Sequence, residues 1–300
     1  MPRVLKSPLE IAADVLPPKP SLYRRVVALC RKQPLGAAGA GVVLVMAFMA
    51  VFADYITVFD PELNDFGNML TAPNETYLLG TDQFGRDAFT RIVYGARTAL
   101  LVGFTSAFVG ATIGLVLGVA SAYFGGRFDL LFQRVMDVIM AFPLIILALA
   151  IVATLGTGVE NVIIAITIPF VAKCSRIVRS NALAIREIPY IDAARALGFS
   201  HTRIILRHMA PNVMAPYLIM LTTFLGQAIL LEAALSYLGM GVQEPTPSWG
   251  LMLQGGAEEF AETAPWIAIW PGVAISLAVF GFNLFGDAVR DVLDPKLRAR

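Results

Sequence analysis

The sequence predicts an all-α integral membrane protein with six transmembrane helices and both termini in the cytoplasm. Composition is the first reason: of 300 residues, 57% are hydrophobic and 15% are charged, and the mean hydropathy is +0.70. Soluble domains contain about 45–50% apolar and about 25% charged residues. A surface this poor in charge must face something other than water. Two further observations, the uncharged runs and the distribution of basic residues, place the helices and orient them.

The uncharged runs locate the spans, because about 20 apolar helical residues cross a bilayer core of about 30 Å. Five runs of that length cover residues 33–53, 98–126, 138–159, 208–231 and 263–286. A shorter run, fourth in chain order, extends from about residue 161 to about residue 178 and contains Lys173. We include it as a span, since a lysine stem near a helix end can extend to the headgroups.

Basic residues orient these spans. With the N-terminus inside, all but three of the 23 Lys and Arg residues fall in cytoplasmic segments, and the exceptions are Arg86, Arg91 and Arg97. This is the positive-inside pattern, and it would be lost without the fourth span. The predicted organisation is a cytoplasmic tail over 1–32, a first helix and outer loop over 33–97, a transmembrane core over 98–287 that contains an inner loop over 181–211, and a cytoplasmic tail over 288–300.

Motifs for enzyme chemistry are missing from the sequence. The two cysteines, Cys30 and Cys174, and the two histidines, His201 and His208, lack the spacing of a disulfide framework or a metal site. None of the lysines follows a glycine, so there is no Walker A loop to bind phosphates. The net charge of +1 gives no electrostatic case for nucleic acid. We therefore expect a non-catalytic chain that binds no metal and no cofactor itself.

The inner loop is predicted to form two short helices bent at a glycine. Helix-forming residues at 191–197 follow Pro189, and Gly198 is a typical helix C-cap. Ser200 is a natural N-cap for a second helix, which would end before Pro211. From the residues alone, this segment is either a docking element or an ordinary solvated loop whose arginines only fix the topology.

The same segment resembles the EAA loop of bacterial binding-protein-dependent ABC permeases. That pattern is Glu-Ala-Ala, three residues, Gly, nine residues, Ile, one residue, Leu-Pro. Asp192-Ala193-Ala194, Gly198 and Pro211 match the spacing, with Asp in place of Glu, while His208 and Ala210 replace the Ile and the Leu. The resemblance implies that the loop couples the chain to a separate ATPase. The implied coupling residues are Asp192, Ala193, Ala194, Arg195, Gly198 and Arg203.

Further motifs narrow the resemblance. Residues 80–87 are Gly-Thr-Asp-Gln-Phe-Gly-Arg-Asp, residues 141–143 are Ala-Phe-Pro, residues 232–239 are Glu-Ala-Ala-Leu-Ser-Tyr-Leu-Gly, and residues 291–295 are Asp-Val-Leu-Asp-Pro. Together with the EAA loop they are similar to the C-type permease subunit of dipeptide/oligopeptide/nickel ABC importers. The similarity extends over about residues 30–298.

This resemblance implies a permease subunit of an ATP-binding cassette importer in the bacterial cytoplasmic (inner) membrane. It implies a second, B-type permease, two ATPase subunits that use ATP and Mg²⁺, and an extracytoplasmic binding protein as partners. Short peptides are the expected cargo, with nickel, glutathione or another small solute as the alternative. The rival classes are a secondary transporter, which would need inverted repeats, and a membrane enzyme, which would need a nucleophile or metal set.

Polar and small residues in or near the spans are the remaining candidates. Turn glycines flank short polar side chains in residues 80–87, which we interpret as a structural motif of the outer loop. Its residues are Gly80, Asp82, Gly85, Arg86 and Asp87, of which Asp82, Arg86 and Asp87 could form a charge network. Asp137, Glu232 and Asn283 are candidate pathway or helix-packing residues. The spacing of Gly110, Gly114, Gly118 and Ala122 predicts a close-packing face on span two.

Overall fold

The computed structural model describes residues 27, 28 and 30–293. Across this part of the chain the regular structure is helical, apart from an isolated antiparallel bridge between Thr81 and Asp87. The predicted tail over 1–32 lies mostly outside the described residues, as do residues 294–300 of the predicted tail over 288–300. The described chain is thus the part from the first span to the end of the last.

The helices follow one another with short connections, except for one long loop after the first span. In chain order they are α1 (Pro34–Val51), α2 (Ala53–Ile56), α3 (Ala88–Phe124), α4 (Gly126–Met140), α5 (Leu144–Leu155), α6 (Val159–Arg186), α7 (Pro189–Ala196), α8 (His201–Ile204), α9 (Met214–Tyr237), α10 (Trp249–Glu259) and α11 (Trp266–Leu293). A 3-10 turn, Phe66–Asn68, lies in the long loop, and a π-turn, Ile205–Met209, and a 3-10 turn, Ala210–Val213, join α8 to α9.

Five helical stretches are long and apolar enough to cross a membrane: α1, α3, α6, α11 and the continuous helix from α8 through α9. The α4–α5 pair, bent by 93°, qualifies as a sixth if its two helices form one span. The prediction of an all-helical protein with several membrane spans is confirmed. Span two begins earlier than predicted, at Ala88, because the Asp87 carboxylate caps the helix by accepting the Thr90 N–H at 2.8 Å.

The predicted third span, 138–159, was wrong as a single helix. α4 ends at Met140 and α5 begins at Leu144, with Pro143 between them in extended backbone at a ψ of 134°. Proline disfavours helical backbone in the residue before it and offers no N–H. An uncharged run that would suit one helix is therefore divided into two helices with very different directions.

The centre of the fold is the α3–α6 seam, formed by Gly110, Gly114 and Gly118 of α3 where they meet α6. A Cβ added to Gly114 would lie 2.6 Å from the Cys174 Cβ, and one added to Gly118 would lie 2.6 Å from the Ser175 carbonyl oxygen. Only glycine permits so close an approach of the two backbones. The structure therefore has a close-packing face at the glycines of α3 from which the small-residue spacing predicted one.

Two apolar clusters surround the seam. One is formed by side chains of α3, α5, α6 and α9, and includes the stacked rings of Phe170 and Phe224 with centroids 4.1 Å apart. The other joins α1, α3, α9, α10 and α11. α1 also approaches α11 through glycines, since a Cβ added to Gly39 would lie 2.7 Å from the Gly281 carbonyl oxygen. α3 and α9 thus belong to both clusters and connect them.

The second inner helix does not end before Pro211, contrary to the prediction. The chain stays helical from His201 to Tyr237. Ahead of the proline the turn widens, so that the Ala210 N–H donates to the Ile205 carbonyl, five residues back. After it the helix tightens to a 3-10 turn. Together these changes accommodate a ring that would clash in a regular α-helix, and the inner loop continues directly into α9.

We expect Gly118→Ala to destabilise the protein, because the added Cβ would press on a backbone oxygen of α6. Overpacking of this kind costs about 1–3 kcal/mol. Gly41→Ala on α1 is the matched control, since a Cβ there meets nothing within 4 Å. The midpoint of thermal unfolding in detergent should fall for Gly118→Ala and should not fall for the control. An equal response of the two variants would contradict the tight α3–α6 seam.

Candidate functional site

The bend of the inner loop has a defined hydrogen-bond geometry. α7 begins with Pro189 as its first residue, where the missing N–H costs nothing. Beyond its end, the Gly198 N–H donates to the Arg195 carbonyl at 2.9 Å, and the Phe199 N–H donates to the Ala194 carbonyl at 3.2 Å. This is the Schellman arrangement. It requires a φ of +76° at Gly198, which L side chains rarely adopt.

The second inner helix is capped as the sequence predicts, with the Ser200 hydroxyl accepting the Arg203 N–H at 3.4 Å. The loop has two faces. Ile191, Ala194, Ile204 and Met209 are buried in the core cluster. The other coupling candidates face outward and are exposed; they are Asp192, Ala193, Arg195, Gly198 and Arg203. Ala194 therefore differs from the rest of the predicted set, because it anchors the loop instead of facing a partner.

Charged residues on the exposed face are only lightly constrained. Asp192 pairs with Arg195 at 3.0 Å, and both side chains are well exposed. Exposed pairs of this type contribute about 0–1 kcal/mol. The Arg203 guanidinium lies 3.9 Å from the centroid of the Phe199 ring. Both arginines and the aspartate can therefore exchange their present contacts for contacts with another protein at small energetic cost.

The inner loop is also tied to the end of α3. The Tyr123 hydroxyl and the His201 Nδ1 are 2.7 Å apart, and the Arg195 guanidinium lies 5.3 Å from the Tyr123 ring centroid. The last residue of α6, Arg186, donates to the Ala122 carbonyl at 2.8 Å. Both inner helices therefore contact the same end of α3, and sequence reasoning missed Tyr123.

At the opposite end of α3, the residues of the 80–87 motif form a compact turn. The Asp82 carboxylate accepts the Phe84 N–H at 2.8 Å and the Arg86 N–H at 2.9 Å, and its other oxygen accepts the Arg86 Nε at 2.7 Å. Gly85 has a φ of +75°, and a Cβ there would lie 1.7 Å from the Asp65 carbonyl oxygen. Gly80 has a φ of +79°, and a Cβ there would lie 2.6 Å from the Trp266 Nε1.

The charge network extends further than the sequence suggested. Arg86 donates to both Glu244 carboxylate oxygens, at 2.5 and 3.1 Å, and Arg91 lies 3.4 Å from the same group. Arg91 is 1% exposed, and its guanidinium also donates to the Pro61 carbonyl at 2.8 Å. We call Asp82, Arg86, Arg91 and Glu244 the outer cluster. It joins the long loop, the start of α3 and the loop after α9.

Two members of the outer cluster, Arg91 and Glu244, were missed, and one predicted member does not belong to it. Asp87 instead caps α3 with its carboxylate. The sequence did contain a signal for Arg91, because it is one of only three basic residues that the predicted topology places on the outer side of the membrane. Glu244 had no such signal, since it is 153 residues from Arg91 in sequence.

Burial and neighbouring charges shift the pKa values of Glu244 and Arg86, the two members of the outer cluster that lie in loops, in opposite directions. Partial burial by itself would raise the pKa of the Glu244 carboxyl, but the Arg86 hydrogen bond and the positive charges of Arg91 and Arg86 outweigh it. The pKa of Glu244 therefore lies below its ordinary value. Burial likewise opposes the charged form of Arg86, yet its contacts with Glu244 and Asp82 raise the pKa of that guanidinium.

The three intramembrane candidates lie in different places and are not brought together. Asp137 on α4 pairs with Arg176 of α6, beside a second pair between Asp129 of α4 and Arg179 of α6. Glu232 is 1% exposed and accepts hydrogen bonds from Ser236 at 2.8 Å and Ser248 at 2.7 Å.

Asn283 on α11 is exposed, and a Cβ added to Gly226 of α9 would lie 3.1 Å from its side-chain oxygen. It thus lies beside a close approach of α9 and α11. Among the described residues, no three His, Cys, Asp or Glu side chains are grouped so that they could hold a metal ion.

Comparison with protein families gives two matches. Residues 110–299 match the family described as binding-protein-dependent transport system inner membrane component. Residues 21–73 match the N-terminal TM domain of oligopeptide transport permease C. The first match contains α4 to α11 and the inner loop, and the second contains α1.

Three curated relatives are similar over most of their length. The chain is 42% identical to a putative peptide transport system permease protein of Brucella suis, over 99% of this chain and 95% of that protein. It is 42% identical to a dipeptide transport system permease protein of Alkalihalophilus pseudofirmus, over 93% and 91%. It is also 42% identical to a glutathione transport system permease protein of Shigella flexneri, over 89% and 88%.

A solved structure shares the fold. Inward-facing conformations of the MetNI methionine ABC transporter include a chain that superposes with a TM-score of 0.55 at 19% identity. The match covers 69% of this chain and 97% of that one. At this level of identity the likeness concerns the fold alone.

We expect Arg91→Met to destabilise the protein strongly, because it leaves the Pro61 carbonyl without its donor and removes a buried positive charge that lies 3.7 Å from Asp82 and 3.4 Å from Glu244. Breaking a buried ion pair by removing one member costs about 3–5 kcal/mol. Arg97→Met, on the same helix, is the control, since its pair with Asp54 is largely exposed and such pairs contribute about 0–1 kcal/mol. Thermal unfolding should separate the two variants clearly. Similar midpoints would show that the outer cluster does not stabilise the fold.

We expect Glu244 to make the outer cluster sensitive to acid. Since its pKa is lowered from the ordinary value of 4.5, its stabilising charge is fully present above that value and is lost as the pH falls through the folded-state pKa. The thermal midpoint of the wild type should therefore drop more between about pH 7 and about pH 3 than that of Glu244→Gln, whose amide does not titrate. Parallel pH profiles for the two proteins would refute this assignment.

Proposed function

The chain belongs to the family of binding-protein-dependent transport system inner membrane components, and from that premise we propose that its inner loop couples import to a separate ATPase. It is a permease subunit of an ATP-binding cassette importer and a multi-pass protein of the inner membrane. Such a subunit acts with a partner permease, an ATPase and a substrate-binding protein. The finer assignments below are our proposals.

Coupling through the inner loop is supported by the division of its residues between two faces. Ile191 and Ala194 are buried in the larger apolar cluster, so α7 is fixed to the helical core of the protein. Asp192, Arg195 and Gly198 are exposed on the other side, where another protein can reach them. A segment that transmits displacement needs both properties, a firm attachment on one side and an accessible surface on the other. This arrangement is the observation that carries the proposal.

The complex we propose contains this chain, a B-type permease, two ATPase subunits and an extracytoplasmic binding protein. N- and C-termini and the inner loop lie in the cytoplasm, which the concentration of Lys and Arg in these segments supports. The permease core is the segment over 98–287. ATP and Mg²⁺ are bound by the ATPase subunits, and this chain binds no cofactor.

The proposed complex accounts for transport as a cycle driven by ATP binding. ATP binding closes the two ATPase subunits on each other, and the attached inner loop moves with them. The spans of the two permeases then change between inward-open and outward-open states, which bind the substrate differently. The binding protein delivers substrate at the outer face, so selection precedes entry to the pathway.

Short peptides are the substrate class we propose. Relatives at 42% identity are named peptide and dipeptide permeases, and the match extends over nearly the whole chain. A second candidate is glutathione, since a glutathione permease is equally identical over 89% of the chain. Uptake of labelled dipeptide and labelled glutathione by the purified complex in vesicles distinguishes the two.

We expect Gly198→Leu to abolish ATP-dependent uptake by the assembled complex while the chain stays in the membrane. A Cβ at this position meets nothing within 4 Å in this chain, so within the subunit the substitution acts through the backbone. A leucine at a φ of +76° is strained by about 1–2 kcal/mol, which shifts the angle between α7 and α8. The measurements are uptake into proteoliposomes and the substrate-stimulated rate of ATP hydrolysis.

Gly239→Leu is the matched control for backbone strain. Gly239 ends α9 in the same Schellman arrangement, at a φ of +74°, and the Met240 N–H donates to the Leu235 carbonyl at 2.9 Å. It lies at the far end of α9 from the inner loop. If Gly198→Leu imports substrate as well as Gly239→Leu does, the coupling role of the inner loop is wrong.

A further inference from the structure

The helix that carries the inner loop into α9 is irregular for nine residues. It forms the π-turn Ile205–Met209 and then the 3-10 turn Ala210–Val213. Prolines and π-turns are the usual causes of bending in helices, and π-turns frequently occur at functional sites. An irregular segment bends more readily than a regular α-helix. Displacement of α8 can therefore be absorbed before it reaches α9, unless another contact bridges the irregular segment.

A group of hydrogen bonds centred on the His208 carbonyl bypasses α8 and most of the irregular segment. Pro211 occupies the position that would donate to this oxygen in a 3-10 turn, and proline has no N–H. Two side chains donate to it: Asn212 Nδ2 at 2.7 Å and the Tyr190 hydroxyl at 2.9 Å. Asn212 Nδ2 also donates to the Tyr190 hydroxyl oxygen at 3.1 Å. The three groups form a closed triangle.

The triangle connects two separate parts of the loop. Tyr190 is in the first turn of α7 and is 18 residues from His208 in sequence. The Tyr190 ring lies 6.1 Å from the His208 ring, and Phe199, just past the bend at Gly198, stacks on His208 at 6.0 Å. These ring contacts position the tyrosine independently of its hydroxyl. Removal of the hydroxyl alone therefore leaves the packing in place.

We propose that Tyr190 is a positioning residue whose hydroxyl fastens α7 to the irregular segment ahead of α9. A displacement of α7 then reaches His208 and Asn212 without passing through α8, so less of it is taken up before α9 begins at Met214. This inference rests on the proposed coupling function of the inner loop and extends it. Tyr190 lies two positions before Asp192, outside the matched Asp-Ala-Ala and Gly positions, and its role comes from the geometry.

The test is Tyr190→Phe in the full complex, reconstituted in lipid vesicles with its binding protein and a labelled dipeptide. We expect the number of substrate molecules imported per ATP hydrolysed to fall about fivefold, which is the size of effect that one net hydrogen bond has on an equilibrium. The thermal midpoint should fall only slightly, since the ring packing is kept and Asn212 still donates to the His208 carbonyl. Tyr55→Phe is the control, because Tyr55 is 87% exposed in α2.

Asn212→Ala provides a second variant, which removes one donor and leaves the Tyr190 hydroxyl on the His208 carbonyl. We expect a smaller loss than for Tyr190→Phe, because the bridge to α7 remains. An unchanged import-to-hydrolysis ratio in Tyr190→Phe would overturn the proposal. So would a lowered thermal midpoint with an unchanged ratio, which would mean that the hydroxyl only stabilises the fold.

Comparison with Gly198→Leu separates this inference from the function on which it rests. Loss of import in Gly198→Leu together with a normal ratio in Tyr190→Phe would overturn the role of Tyr190 and leave the coupling role of the inner loop standing. Normal import in both variants would overturn both. A reduced ratio in Tyr190→Phe with normal behaviour of Tyr55→Phe supports the proposal.

Discussion

The close approach of α3 and α6 is the constraint on which the rest of the structure depends. Helices in lipid gain little from hydrophobic association, so backbone proximity and van der Waals packing must hold them together. The 37 residues of α3 meet α6 through glycines in the middle, while its two ends hold the polar contacts. The outer cluster and the inner loop are thus located by one helix whose position is set by the α3–α6 seam.

The polar contacts at the two ends of α3 differ in kind, and the difference suits their positions. The outer cluster is ionic and largely buried, and each member contacts two others, so moving one member weakens two ion pairs in a medium of low dielectric. The inner contacts are the hydrogen bond between Tyr123 and His201, the donation from Arg186 to the Ala122 carbonyl and the Arg195 contact with the Tyr123 ring, and none of them is an ion pair. Neutral hydrogen bonds contribute about 0.5–1.5 kcal/mol each and can be exchanged at small cost. One end of the helix is fixed, and the other can rearrange.

The sequence predicts the helical class and most of the spans because lipid imposes a simple rule on composition along the chain. Both Pro143 and Pro211 interrupt apolar runs, and the sequence does not show which of them ends a helix. Pro143 divides two helices. Helical structure continues past Pro211, where Asn212 and Tyr190 donate to the His208 carbonyl, three residues before the proline. The outcome depends on donors that come from other elements. The same reason hides Glu244, whose partners in the outer cluster are more than 150 residues away.

Local patterns did identify part of the candidate site. The bend at Gly198 and the Ser200 cap follow from residue types whose backbone preferences are strong. Burial is a different matter: Ala193 and Ala194 are identical in chemistry, and only the packing of α7 on the core decides that one is exposed and the other enclosed.

The two ion pairs between α4 and α6 have a consequence for how the chain is made. Asp137 and Arg176 are 39 residues apart, and Asp129 and Arg179 are 50 apart. During synthesis from the N-terminus, both acids therefore emerge from the ribosome well before either arginine. Until α6 is complete, Asp129 lacks its arginine partner, and Asp137 has only Arg134 of its own helix, 3.6 Å away. The two ion pairs can therefore fasten α4 to α6 only after the fourth span has been synthesised, so the order of translation sets when these two helices lock together.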